Sequence, residues 1–132
     1  MTYVLDASAL LALIQDEKGG EKVKTILERK PKPFIHAINI LEIEYKLKRK
    51  HPKPSAERSI RWLRKAPLTI AEVLTPQITN YSLYLKSKYH LSLGDSVGLG
   101  LANFLGYPFL TADRHELAPI AKAENIKIEF IR

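Results

Sequence analysis

Short apolar, β-prone runs alternate along this chain with longer amphipathic stretches, and no other feature restricts the fold as much. Tyr3-Val4-Leu5, Phe34-Ile35-His36-Ala37, Leu68 to Val73, Phe109-Leu110-Thr111 and Ile126 to Ile131 read as strands. Between them, apolar residues recur at helical spacing. The segments are Ala7 to Ile14, Glu21 to Arg29, about Asn39 to Lys50, a stretch through Ile60, Trp62 and Leu63 to Pro67, Pro76 to Tyr89, Ser96 to Leu105, and roughly His115 to Ala123. Strand followed by helix, repeated, predicts βα units around a parallel sheet.

The punctuation agrees. Gly19-Gly20, Pro31 and Pro33, His51-Pro52-Lys53-Pro54 and Gly106-Tyr107-Pro108 break the pattern where elements should end. Ser55 is expected to cap the fourth helix, and Thr75-Pro76 opens the next with a hydroxyl cap and a proline. Leu91-Ser92-Leu93-Gly94 reads as a loop that delivers Asp95 to a helix starting at Ser96. No repeat or linker divides the chain, so residues 1–132 are expected to form one domain.

The acids fall at particular places in this pattern. Asp6 directly follows the first strand, and Asp113 lies two residues past Thr111. In parallel α/β sheets ligands bind at the carboxyl ends of strands, so both acids belong on one rim. Asp95 opens a helix that should pack beside that rim, and Glu42 lies early in the helix after the second strand, on the same side. Each acid also has a plainer explanation. Asp6, Asp95 and Asp113 are placed to cap helices, and Glu42 is placed as a solvated helix residue with Glu44 close by. Their joint placement is what points to a pocket. Carboxylates drawn together repel one another and need a cation. Hard oxygen ligands suit Mg²⁺ or Mn²⁺.

Composition narrows the chemistry. The absence of cysteine excludes disulfide scaffolds, thiolate zinc sites and thiol nucleophiles. His36, His51, His90 and His115 show no ligand spacing and are expected to be structural or surface residues. The N-terminal segment lacks a basic leader and is interrupted by Asp6, so it is read as folded structure. No apolar run approaches the ~18 residues of a membrane span; a cytoplasmic location with no membrane contact is expected. The net charge of +7 favours polyanions, nucleic acid first, although many basic domains bind none. The densest basic stretch runs from Lys46 to Lys65, with Lys46, Arg49 and Lys50 as candidate RNA-backbone contacts. Trp62 lies within it, either as a stacking surface for an unpaired base or, the favoured reading, as a core residue beside Ile60 or Leu63.

Four short motifs carry a resemblance. Asp6-Ala7-Ser8-Ala9-Leu10-Leu11-Ala12 after an apolar strand, Ile38-Asn39-Ile40-Leu41-Glu42, Leu93-Gly94-Asp95-Ser96-Val97 and Thr111-Ala112-Asp113 occur in this order. Together they resemble PIN-domain nucleases over nearly the whole chain, and the VapC-type toxins of prokaryotic toxin–antitoxin pairs in particular. The resemblance implies a three-layer α/β fold, with a central parallel sheet of four to five short strands flanked by helices. It implies a Mg²⁺- or Mn²⁺-dependent endoribonuclease that leaves a 5′-phosphate and a 3′-hydroxyl. It implies Asp6 and Asp95 as the principal metal ligands, with Glu42 and Asp113 completing the pocket directly or through water, and Ser8 and Thr111 as hydroxyl contacts. The implied partners are RNA, a cognate antitoxin and a second copy of the chain. It also selects Glu42 over Glu44. Helical phase adds only a little to that choice: Glu44 shares a face with Ile40 and Leu47, while Glu42 lies nearer Lys46 and Arg49. Gly94, Gly98 and Gly100 make the Asp95 helix rich in glycine, which lowers its intrinsic stability and permits close packing.

Other readings fit less well. A haloacid-dehalogenase-type phosphatase needs a second aspartate where Ser8 stands. A structure-specific DNA nuclease needs insertions that 132 residues do not hold. A degenerate PIN module that only binds RNA or protein would have lost acids that are all present here.

Overall fold

A computed structural model describes residues 1–132. Five parallel strands, β1 (Val4–Leu5), β2 (Phe34–His36), β3 (Thr69–Ala71), β4 (Phe109–Thr111) and β5 (Ile128–Phe130), form one sheet in the order β3-β2-β1-β4-β5. Seven helices flank it: α1 (Ala7–Ile14), α2 (Gly20–Glu28), α3 (Ala37–Lys50), α4 (Lys53–Lys65), α5 (Pro76–Lys88), α6 (Leu93–Leu105) and α7 (Arg114–Glu124). No helix is long and apolar enough to cross a membrane.

The two-residue period of a strand builds two cores. Leu5, Ile35 and Leu110 point to one face and pack with Leu10, Ile43, Leu47 and Leu63 of α1, α3 and α4. Val4 and Phe109 point to the other and pack with Ile78, Leu85, Leu99 and Leu117 of α5, α6 and α7. The helices therefore form outer layers on both faces, as a parallel sheet requires. β1 pairs with both β2 and β4, with Val4 opposite Phe34 on one side and Phe109 on the other. The connectivity reverses between β1 and β4, and such a switch point leaves a crevice at the carboxyl ends of the two strands.

The glycines of α6 set how deeply it packs. A Cβ on Gly98 would lie 2.7 Å from the Phe109 ring, and one on Gly100 would lie 2.9 Å from the Ile78 carbonyl and collide with the Ser82 hydroxyl. α6 can approach α5 and β4 this closely only because these two positions lack side chains.

Three local expectations are corrected. α6 begins at Leu93, and Ser92 caps it by accepting from the Asp95 N–H at 3.0 Å, so Asp95 lies within the first turn and Leu93-Gly94 is helical. α4 begins at Lys53 without a side-chain cap, and Ser55 sits inside its first turn. Proline near a helix start has a preset φ, and its missing N–H is one the first turn leaves unbonded anyway, so Pro54 tolerates the earlier start. Trp62 is not core: it is 42% exposed, in a groove bordered by Leu13, Ile14, Leu27 and Pro67. Ala56, Ile60 and Leu63 take the inward positions of α4, and Trp62 falls out of phase with them.

Candidate active site

Asp6 stands at the end of β1 and caps α1, so capping and membership of the pocket coincide. Its Oδ1 accepts from the Ala7 N–H at 2.8 Å, and its Oδ2 accepts from the Thr111 and Ser8 hydroxyls at 2.7 and 2.8 Å. Those hydroxyls are fixed in turn: Ser8 Oγ accepts from the Ala112 N–H and Thr111 Oγ1 from the Asp113 N–H, each at 3.0 Å. The ends of β1 and β4 are thus tied together through Asp6, and both hydroxyl candidates contact an acid of the site.

Asp95 enters from α6 and is 9% exposed. Its carboxyl faces that of Asp6 within hydrogen-bonding reach. Burial first, then the neighbouring Asp6 and Glu42, push its pKa up to about 8. Burial also raises Asp6, against the stabilising bonds from Thr111 and Ser8. The pair therefore holds protons at pH values where free carboxyls are ionised.

Glu42 comes from α3. Its Oε2 accepts from Lys46 Nζ at 2.9 Å, one turn along the same helix. Its Oε1 is buried without a hydrogen-bond partner and packs so tightly on Gly94 that a Cβ there would collide with it. Asn39 Nδ2 donates to the Gly94 carbonyl at 3.0 Å and holds α3 against the start of α6. Glu44 turns away and pairs with Arg64 at 2.9 Å.

Asp113 caps α7, accepting from the Glu116 N–H at 3.2 Å. Carboxylate oxygens of Asp95, Asp113 and Glu116 lie within 4.8 Å of one another. The structure thus adds Glu116, which sequence reasoning missed. The signal was present: an Asp-x-x-Glu spacing at a helix start puts both side chains on one side of the first turn.

Asp95 links the acids: Asp6 and Glu42 both act on its carboxyl, and Asp113 and Glu116 lie within 4.8 Å of it. Lys46 is the one cation paired with any of these five acids. Buried carboxylates without partners are costly unless protonated or bound to a cation. An all-oxygen donor set with an orphaned Glu42 oxygen fits a small hard divalent ion. No imidazole joins the cluster. His36 caps α3 through Nδ1 and contacts the Val73 carbonyl through Nε2, while His51 bonds Gln15. Of the basic candidates, Lys46 contacts the site; Arg49 lies over the Tyr45 ring, its guanidinium carbon 4.9 Å from the centroid, and Lys50 is exposed at the end of α3.

A family model described as the PIN domain matches residues 3–123. Ribonuclease VapC30 of Mycobacterium tuberculosis is 26% identical over 113 residues, covering 81% of this chain and 86% of the relative. Among solved structures, VapBC2 from Rickettsia felis, bound to a DNA fragment from its promoter, matches with a TM-score of 0.76 at 16% identity over 98% of each chain. VapC20 of M. tuberculosis, a sarcin-ricin loop cleaving toxin, matches with a TM-score of 0.68 at 13% identity, covering 90% of this chain and 95% of that one. At these identities the structural matches establish the fold.

Proposed function

The chain belongs to the PIN-domain family, and from that membership we propose that it is a metal-dependent endoribonuclease acting as the toxin of a type II toxin–antitoxin pair. The observation that carries this reading is the buried Asp95, which Asp6 and Glu42 both influence and whose carboxylate lies within 4.8 Å of those of Asp113 and Glu116, beside a buried Glu42 oxygen with no partner. Asp6 and Asp95 are the residues to hold Mg²⁺ or Mn²⁺ directly. Glu42 and Asp113, with Glu116 beside it, complete the shell directly or through water. When bound, such an ion supplies Lewis-acid activation of water and of the phosphodiester.

The chain's own residues do the rest. Thr111, Ser8 and the Ala7 N–H fix both oxygens of Asp6, so this ligand needs little reorganisation. Lys46 sets a half-exposed cation on Glu42, and Arg49 and Lys50 continue the positive charge along α3 to hold the RNA backbone. Hydrolysis is in line and leaves a 5′-phosphate and a 3′-hydroxyl.

The curated relatives are named VapC ribonucleases, and structural neighbours include complexes titled VapBC. These names support an antitoxin partner for this chain, and the proposed RNA substrate gives it a cytoplasmic site of action. Exposed Leu74, Leu83 and Leu93 border a groove of about 280 Å³ between α5 and α6, an apolar surface that supports association with a protein, a second copy included.

The test is cleavage of a mixed-sequence RNA by the full chain with Mn²⁺, with EDTA, and by Asp6→Asn protein. Cleavage in Mn²⁺ alone, lost with EDTA and reduced by at least about a hundredfold in the variant, is expected. Equal cleavage by the variant, or none by the wild type with Mn²⁺, overturns the reading; so does equal cutting of a DNA of the same sequence.

A further inference from the structure

Glu42 uses its two carboxylate oxygens differently. Oε1 is buried against Gly94 with no partner, while Oε2 accepts from Lys46 Nζ at 2.9 Å. Lys46 straddles the boundary of the site. Its side chain is 47% exposed, yet its ammonium is the one cation bonded to an acid of the pocket, and it feels Asp6 as well as Glu42. Asp6, Asp95, Asp113 and Glu116 have no basic partner.

We propose that Lys46 is the internal counter-cation of this acidic site, that it opposes binding of the divalent ion through Glu42, and that a phosphate of the incoming substrate relieves this opposition by drawing Lys46 away. The inference rests on the metal-site reading above and adds a coupling: RNA and metal bind each other's complex better than either binds the free protein.

Two effects of Lys46 on metal binding compete, and their sizes decide the sign. Holding Glu42 in one rotamer favours metal binding, but a half-exposed i,i+4 pair gives only about a twofold effect. Repulsion between an ammonium and a divalent ion sharing one carboxylate is worth roughly tenfold, even at the dielectric of water. Opposition therefore outweighs orientation. The flexible, half-exposed lysine stem lets the ammonium swing to a phosphate oxygen without disturbing α3. That transfer removes the repulsion and adds an attraction, so the two ligands promote each other.

The test is calorimetric titration of Mn²⁺ into the full-length wild type and into Lys46→Met, Lys46→Arg and Asp95→Asn proteins, each with and without a short phosphorothioate RNA that resists cleavage. Lys46→Met is expected to bind Mn²⁺ about fivefold tighter than wild type, the roughly tenfold repulsion less the roughly twofold orientation, and Lys46→Arg within about twofold of it. The RNA should tighten Mn²⁺ binding to wild type several-fold more than it tightens binding to Lys46→Met, where only the direct attraction of the phosphate for the ion is left. Unchanged or weaker Mn²⁺ binding by Lys46→Met, with wild-type binding that Asp95→Asn abolishes, overturns the inference and leaves the metal site standing. Equal tightening by RNA in both proteins overturns the coupling. Failure of every protein to bind Mn²⁺ overturns the metal-site reading and this inference together.

Discussion

The contact between Glu42 Oε1 and Gly94 makes a single hydrogen atom matter to the site. Adding a Cβ at Gly94 pushes directly on that oxygen, whereas the side chain behind it can rotate away into the pocket. Gly94→Ala protein should therefore stay within about 1 kcal/mol of wild-type stability, since alanine also favours the helix. Its Mn²⁺ affinity should fall by at least about tenfold, the usual scale for displacing a ligand's support; denaturation and calorimetry on one preparation check both. Asp95 predicts a pH dependence. Its folded pKa, pushed up to about 8, lies far above that of a free carboxyl. Between about pH 4 and 8 the metal-free folded state keeps a proton that the unfolded chain releases, so stability is lost as pH rises through that window. The melting temperature of metal-free protein should drop by about 5 °C or more from pH 5 to pH 8. Asp95→Asn should flatten the drop, and saturating Mn²⁺ should remove most of it. Asp6, Asp95 and Asp113 were legible in the sequence because chain position placed them at strand ends and helix starts. Glu42 needed the family pattern to separate it from Glu44, since a helix carries acids on every side. Glu116 was missed because an acid in a first helical turn also suits the helix dipole and draws no attention.

At the level of elements, α6 holds the site together. It carries Asp95, lies against α3 through the Asn39–Gly94 bond, and packs on α5 and β4 through Gly100 and Gly98. Gly100→Ala should destabilise the fold by about 1–2 kcal/mol net, since overpacking against the Ile78 carbonyl and Ser82 exceeds the gain in helix propensity. A lowered urea midpoint with an unchanged slope is the expected signature. The helix periods were legible, but its start was not. Ser92-Leu93-Gly94 has the composition of a loop, and only the bond from the Asp95 N–H to Ser92 Oγ shows that the glycine lies inside the first turn. Trp62 was misplaced for a similar reason. A tryptophan beside two apolar residues suggests core, while the phase set by Ala56, Ile60 and Leu63 turns it outward into a groove.

For the whole molecule, the sheet order decides which acids meet. β1 and β4 lie about a hundred residues apart in the chain yet pair directly, Val4 opposite Phe109 and Leu5 opposite Leu110. No local signal announces such a pairing; the βα alternation indicated a parallel sheet but not its order. The site is acidic while the chain carries a net charge of +7, so attraction of a polyanion must come from the surface around the pocket. Replacing Lys46, Arg49 and Lys50 together by glutamine should weaken RNA binding and reduce the slope of log affinity against log salt by about 2, three single-strand phosphate contacts' worth. An unchanged slope would place the RNA elsewhere. The convergence of acids from β1, α3, α6 and the β4–α7 junction on one divalent ion is tested most directly by a crystal structure of Mn²⁺-soaked protein phased on the manganese anomalous signal. The prediction is a peak within bonding distance of Asp6 and Asp95, next to Glu42 Oε1. A fully soaked crystal with no peak there, or with manganese only on surface acids outside this cluster, would contradict it.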